Sequence, residues 1–223
     1  MRTIGRLWRI VVYPRRTSRE ILQDRSIHAS LAIVLGFALV LSLLFLISHF
    51  RGDYPPPPQD LETWIETWGE FAMLPFVKIQ AEHYRLAQAI FFTPMMLGTW
   101  LLMAGTARVL SLLWGGKVSF EQYLNLFGYS FFAFWILGSV LDTIYSGLLG
   151  RHVLQALRGE YGPLAKMVFA NFPSLMWTIV LGLGGVYNAI ASHEAEQFSW
   201  LKAALVGAAT FFWPMVLISL LVR

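Results

Sequence analysis

Residues 29–50 contain no aspartate, glutamate, lysine or arginine. Wound as a helix at 1.5 Å per residue, such a run covers the roughly 30 Å hydrocarbon core of a bilayer. Four further apolar runs follow, at about 86–113, 123–149, 164–190 and 200–222. The chain of 223 residues is 57% hydrophobic and 13% charged, whereas soluble domains carry about 25% charge. So little charge cannot cover five buried helices in water, and the mean hydropathy of +0.57 says the same. The expected fold class is therefore all-α: a polytopic membrane bundle of five transmembrane helices, with the lipid bilayer as its surroundings. No cysteine is present, which excludes disulfides, thiolate metal sites and cysteine nucleophiles.

Two units are expected, a basic tail over 1–28 and a membrane domain over 29–223. The tail sets Arg2, Arg6, Arg9, Arg15, Arg16, Arg19 and Arg25 against Glu20 and Asp24. A basic flank ahead of a span marks the cytoplasmic side. This places the N-terminus in the cytoplasm and, with five spans, the C-terminus outside. The same flank makes a nucleic-acid partner unnecessary. Ile4, Leu7, Trp8, Val11 and Val12 recur at helical spacing, which predicts a short helix on the membrane interface. Pro14 is expected to end it, and Thr17 or Ser18 to cap a second short turn. Arg15-Arg16 is not read as an export signal. Acidic residues separate it from the first span, and no small-residue cleavage site follows that span, so the span is an anchor.

The first outer loop opens with Pro55–Pro58, an extended spacer. Leu61, Trp64, Ile65, Trp68, Phe71 and Ala72 then form one helical face, which predicts an amphipathic interfacial helix over 61–72. Its opposite side, Glu62, Glu66 and Glu70, reads as a solvated acidic face rather than a cation site.

Between the second and third runs lies a short polar hinge, Gly115-Gly116-Lys117-Val118-Ser119-Phe120, leading into Gly128-Tyr129-Ser130. Two glycines permit a tight turn, and Ser119 with Gln122 makes an imperfect capping box. A re-entry turn is the preferred reading, and a cytoplasmic docking loop is the alternative. The GG-basic-x-S/T-F and G-Y-S/A segments resemble the signature of the Ypt-interacting-protein (Yip) family of small membrane proteins. Residues Trp177–Leu183 and Ser199–Ala203 resemble its fourth span and the junction before its fifth. The resemblance implies five helices, a cytoplasmic N-terminus and helix-mediated association. The family's eukaryotic members carry a long cytosolic N-terminal region and bind Rab-type GTPases. The tail here is under 30 residues, which weighs against that role and suggests a bacterial plasma (inner) membrane protein.

The remaining candidate residues are polar groups inside spans. Pro94, Pro173 and Pro214 each fall about eight or nine residues from an outer span end, roughly 12–14 Å deep. Each removes a helix donor and frees a carbonyl four residues earlier, on Ile90, Phe169 and Thr210. Three kinks in one protein- or water-facing layer are expected there. Asp142 lies in the same layer, with Asn171 level with it and Ser139 and Tyr145 on its own helix face. Desolvation should keep such a carboxyl neutral and hydrogen-bonded. A structural bond is preferred over a proton or cation relay. Arg108 and Asn188 sit at the cytoplasmic side, where Arg108 can snorkel to the interface or bond to Asn188 or Tyr129. Gly185 with Ala189 and Ala204 with Ala208 have the spacing of close helix contacts, offering faces for a homo-oligomer or another membrane protein. His193-Glu194-Ala195-Glu196-Gln197 nearly matches a zinc-protease motif, but Gln197 replaces the second histidine. No metal, cofactor or catalytic residue is supported. The expected function is a non-enzymatic membrane scaffold or trafficking and membrane-organising factor. A conduit or scramblase for a lipid or small solute, using the Asp142 and Asn171 layer, is the alternative.

Overall fold

The computed structural model describes residues 2–24, 26–52, 70–74, 77–80, 83–130, 138, 141 and 162–221. Among these, α1 spans Arg2–Val12, α2 Pro14–Leu22 and α3 His28–Phe50. A hairpin follows, β1 Glu70–Leu74 and β2 Val77–Gln80. Then come α4 Tyr84–Leu113, α5 from 120 and described to 130, α6 Pro163–Glu196, and α7 Trp200–Leu221. Helix α4 packs between α3 and α7, α7 packs on α6, and α2 packs on α6 with α1 against it. The core between α4, α5 and α7 is built from Met96, Met103, Ala104, Tyr123, Phe127 and Val206. Across it Trp100 Nε1 donates to the Leu124 carbonyl at 2.9 Å, and Trp213 Nε1 to Thr106 Oγ1 at 2.9 Å.

Two helices, His28–Phe50 and Arg85–Leu113, are long and apolar enough to cross a membrane. α3 turns Leu39, Val40, Leu43 and Leu44 outward, each more than half exposed. A stripe of that size is costly in water and is the surface a helix presents to lipid.

The structure departs from the sequence reading in four places. Residues 70–72, expected in an interfacial helix, lie in β1, with Phe71 opposite Ile79 and Ala72 opposite Lys78. Backbone pairing with β2 satisfies the groups that a helix would have paired within itself. Residues 61–69 lie outside the described set. α2 starts on Pro14 itself, a favoured first position because proline lacks only a donor that would be unpaired there. Thr17 and Ser18 are consequently not caps but buried residues of α2. α6 runs on to Glu196, six residues beyond the expected span end at 190, and leaves only 197–199 as a loop. The last departure is on α7, where Ala204 and Ala208 are exposed. The packed face is Ala203, Val206, Gly207 and Thr210.

Candidate functional site: a hinge held by the end of the sixth helix

The hinge begins as a helix C-cap. Gly115 takes φ +77°, and the N–H groups of Gly115 and Gly116 donate to the carbonyls of Leu112 and Ser111 at 3.1 and 2.8 Å. A glycine in the left-handed region is the common way to end a helix while satisfying its last carbonyls. The chain then re-enters through the capping box read from the sequence. Ser119 N–H donates to Gln122 Oε1 at 2.9 Å, and Gln122 N–H donates back to Ser119 Oγ at 3.2 Å.

The carboxylate of Glu196 reaches into this turn from the end of α6. It accepts the Lys117 N–H at 2.7 Å on Oε2 and the Val118 N–H at 3.0 Å on Oε1. On Oε1 it also accepts the hydroxyls of Ser111 and, at 3.3 Å, Tyr123. From the other side Arg108 Nη1 donates to the carbonyls of Val118 at 2.7 Å and Gly116 at 3.4 Å. Arg108 is therefore bound to the hinge backbone rather than to Tyr129 or Asn188. Gly116 is needed for space, because a Cβ there would stand 2.6 Å from Glu196 Oε1 and would also overlap Ser111 Oγ.

Two residues earlier, Glu194 is 6% exposed. It accepts Arg19 Nε at 2.6 Å, with Arg15 Nε at 3.9 Å. The neighbouring His193 places Nδ1 2.6 Å from the Phe198 carbonyl, so that nitrogen carries the proton. Its ring stacks on Trp200 at 3.9 Å, and the Arg15 guanidinium lies 5.0 Å from the same indole. The near-match to a zinc motif thus resolves into two latches and a stack, and no metal-holding cluster of His, Cys, Asp and Glu occurs among the described residues.

Within the basic tail, three of the seven arginines pair with its two carboxylates, and the tail keeps a net positive charge. Arg6 meets Asp24 at 2.7 Å, while Arg9 and Arg16 meet Glu20 at 3.1 and 3.3 Å. The Asp24 bond is the main reason the Arg6 pKa is raised above the ordinary arginine value; burial opposes it and Tyr129 adds to it. Asn125 Nδ2 donates to the Asp24 carbonyl at 2.9 Å, fastening the end of α2 to α5.

Deeper in the bundle, Asn188 joins three helices. Its Oδ1 accepts Ser130 Oγ at 2.7 Å, and its Nδ2 donates to Thr210 Oγ1 at 3.0 Å. All three residues are at most 1% exposed. Gly185 and Ala189 make the close helix contact that their spacing suggested, but within the chain, against Gly207, rather than to a second protein. A Cβ on Gly207 would overlap the Gly185 carbonyl and stand 2.8 Å from Ala189 Cβ. Gly128 serves a similar close approach, since a Cβ there would lie 2.6 Å from Ser30 Cβ on α3. Tyr129 beside it is fully buried.

The polar layer expected around Asp142 is only partly described. Asp142, Ser139 and Tyr145 lie outside the described residues. Asn171 and Pro173 fall within α6, but their side chains lie outside the described set. α4, α6 and α7 each continue as one helix through Pro94, Pro173 and Pro214. Pro94 is exposed and Pro214 buried.

A family model for the Yip1 domain matches residues 8–223, nearly the whole chain. The chain belongs to the Yip1-domain family. Membership and the two long apolar helices make this Yip1-domain protein a membrane protein. No curated protein and no solved structure matches it. The glycine-rich hinge that carried the resemblance is, in this Yip1-domain protein, the turn that Glu196 holds. Sequence reasoning met the two glutamates only as part of a near-zinc motif and missed their binding of the hinge and of α2. Their signal was present, since acidic residues in the last turn of a helix oppose its dipole and require partners.

Proposed function

We propose that this Yip1-domain protein is a non-enzymatic, five-span membrane scaffold that presents a fixed face to other proteins on the hinge side of the membrane. The observation that carries this reading is the double latch at the end of α6. Glu196 binds the hinge and Glu194 binds α2, so Lys117 and Ser119 stand exposed on a backbone tied to the bundle. A preformed surface binds without the entropy of ordering a loop. The positive-inside bias of the tail supports a cytoplasmic position for this face, with the C-terminus outside a bacterial inner membrane.

A photo-crosslinking side chain at Lys117, installed in the full protein in native membranes, tests the reading. Discrete protein adducts at Lys117, absent when the same group replaces the lipid-facing Leu205, are expected. Adducts only to lipid at both positions would refute it. Solute flux or lipid scrambling by pure protein above that of empty vesicles would instead favour the conduit. The described polar groups Ser130, Asn188 and Thr210 satisfy one another, which supports packing over transport.

A further inference from the structure

We infer that α1 is embedded in the leaflet on the hinge side, at a junction of protein, lipid and water, with Trp8 and Val12 as its lipid-facing residues. This does not depend on the scaffold reading. The protein covers only part of the apolar arc of α1. Ile10 is 1% exposed, and Leu7 and Val11 pack beside it on the core. Trp8 and Val12, four residues apart and so about 40° apart around the helix, remain 73% and 48% exposed. They continue the buried arc, so a single apolar surface passes from the bundle out into the surroundings. Arg9 begins the polar side, and Tyr13 and Arg16 continue the exposed surface past the helix end.

The depth of α1 fits the same occupant. The Tyr187 hydroxyl donates to the Val11 carbonyl at 3.2 Å. Tyr187 lies nine residues before Glu196, about 13–14 Å down the axis of α6. At that level α6 turns Val186 and Leu183 outward, 53% and 38% exposed. The end of α1 therefore sits where the bundle still shows an apolar wall. Arg15 and Arg16 follow directly, 63% and 81% exposed although each also lies near a carboxylate, Glu194 and Glu20, and their exposed guanidinium edges match the anionic phosphates of phospholipid headgroups. A tryptophan at such a boundary places its apolar rings in the acyl region and its N–H near the headgroups.

The cysteine-free chain allows a direct test. Nitroxide labels are attached to Trp8→Cys, Val12→Cys and Arg16→Cys in the full protein, reconstituted in phospholipid vesicles. Oxygen and a water-soluble nickel chelate serve as competing relaxants. Folding of each variant is checked by its thermal melt, and all three sites are exposed enough to accept a label. Lipid contact predicts high oxygen and low nickel access at 8 and 12, with nickel access several-fold higher at 16. Nickel access at 8 and 12 equal to that at 16 would place them in water and overturn the inference. Low access to both relaxants at 8 and 12 would mean that another protein surface, such as a second copy, covers them, and would overturn it equally.

Discussion

Replacing Glu196 by glutamine should release the hinge while leaving the bundle folded. Glutamine keeps the length and shape of the side chain, but one terminal atom becomes an NH2 that donates. The carboxylate receives Lys117 N–H on one oxygen, and Val118 N–H, Ser111 Oγ and Tyr123 hydroxyl on the other. Whichever way the amide turns, at least one donor faces a donor, and the remaining bonds lose the assistance of the charge. A hydrogen bond to a charged group contributes about 1.5–3 kcal/mol. Lys117 is exposed and its N–H can turn to water, so the whole loss is set at about 2–3 kcal/mol. That corresponds to roughly 30- to 150-fold faster amide exchange if the hinge opens locally. Hydrogen–deuterium exchange of the peptide over 112–120 reads this, with a peptide over 203–210 as the unaffected control. Gly116→Ala should reproduce the effect by evicting the carboxylate. Exchange in the Glu196→Gln hinge within about threefold of the parent would refute the argument, because the carboxylate would then not be holding the turn.

Gly207→Ala should lower stability by about 1–3 kcal/mol, because the new methyl meets a backbone carbonyl that cannot rotate away; Ala204→Leu on the exposed side should be neutral in the same detergent melts. Asn188→Leu should cost about 1–3 kcal/mol by leaving Ser130 and Thr210 without their shared partner, and adding Thr210→Val should cost less than the two single changes summed. Arg19→Ala should cost about 1–3 kcal/mol, since Arg19 is two-thirds exposed but leaves Glu194 buried with only the more distant Arg15. Arg16→Ala, which breaks an exposed i,i+4 pair, should cost no more than about 0.5 kcal/mol, and paired thermal melts distinguish the two.

The apolar runs alone placed α3 and α4 to within two residues, because twenty uncharged residues have only one low-energy solution in lipid, a helix that satisfies its own backbone. Gly115 and the Ser119–Gln122 box were likewise legible, since caps and turns are decided by a few adjacent residues. Other features waited for partners that are distant in sequence. Glu194 meets an arginine 175 residues away and Glu196 a backbone amide 79 residues away, and nothing local to α6 names either. The choice of Ala203 over Ala204, or of Ile10 over Trp8, as the inward residue has the same origin. Neighbouring positions on an apolar helix differ little in composition, so the neighbour that packs against them decides which face is buried. Between α3 and α4, amphipathic spacing suited a helix up to residue 72, and pairing with Val77–Gln80 overruled it, because a strand is stabilised by a second strand that periodicity within one segment does not reveal.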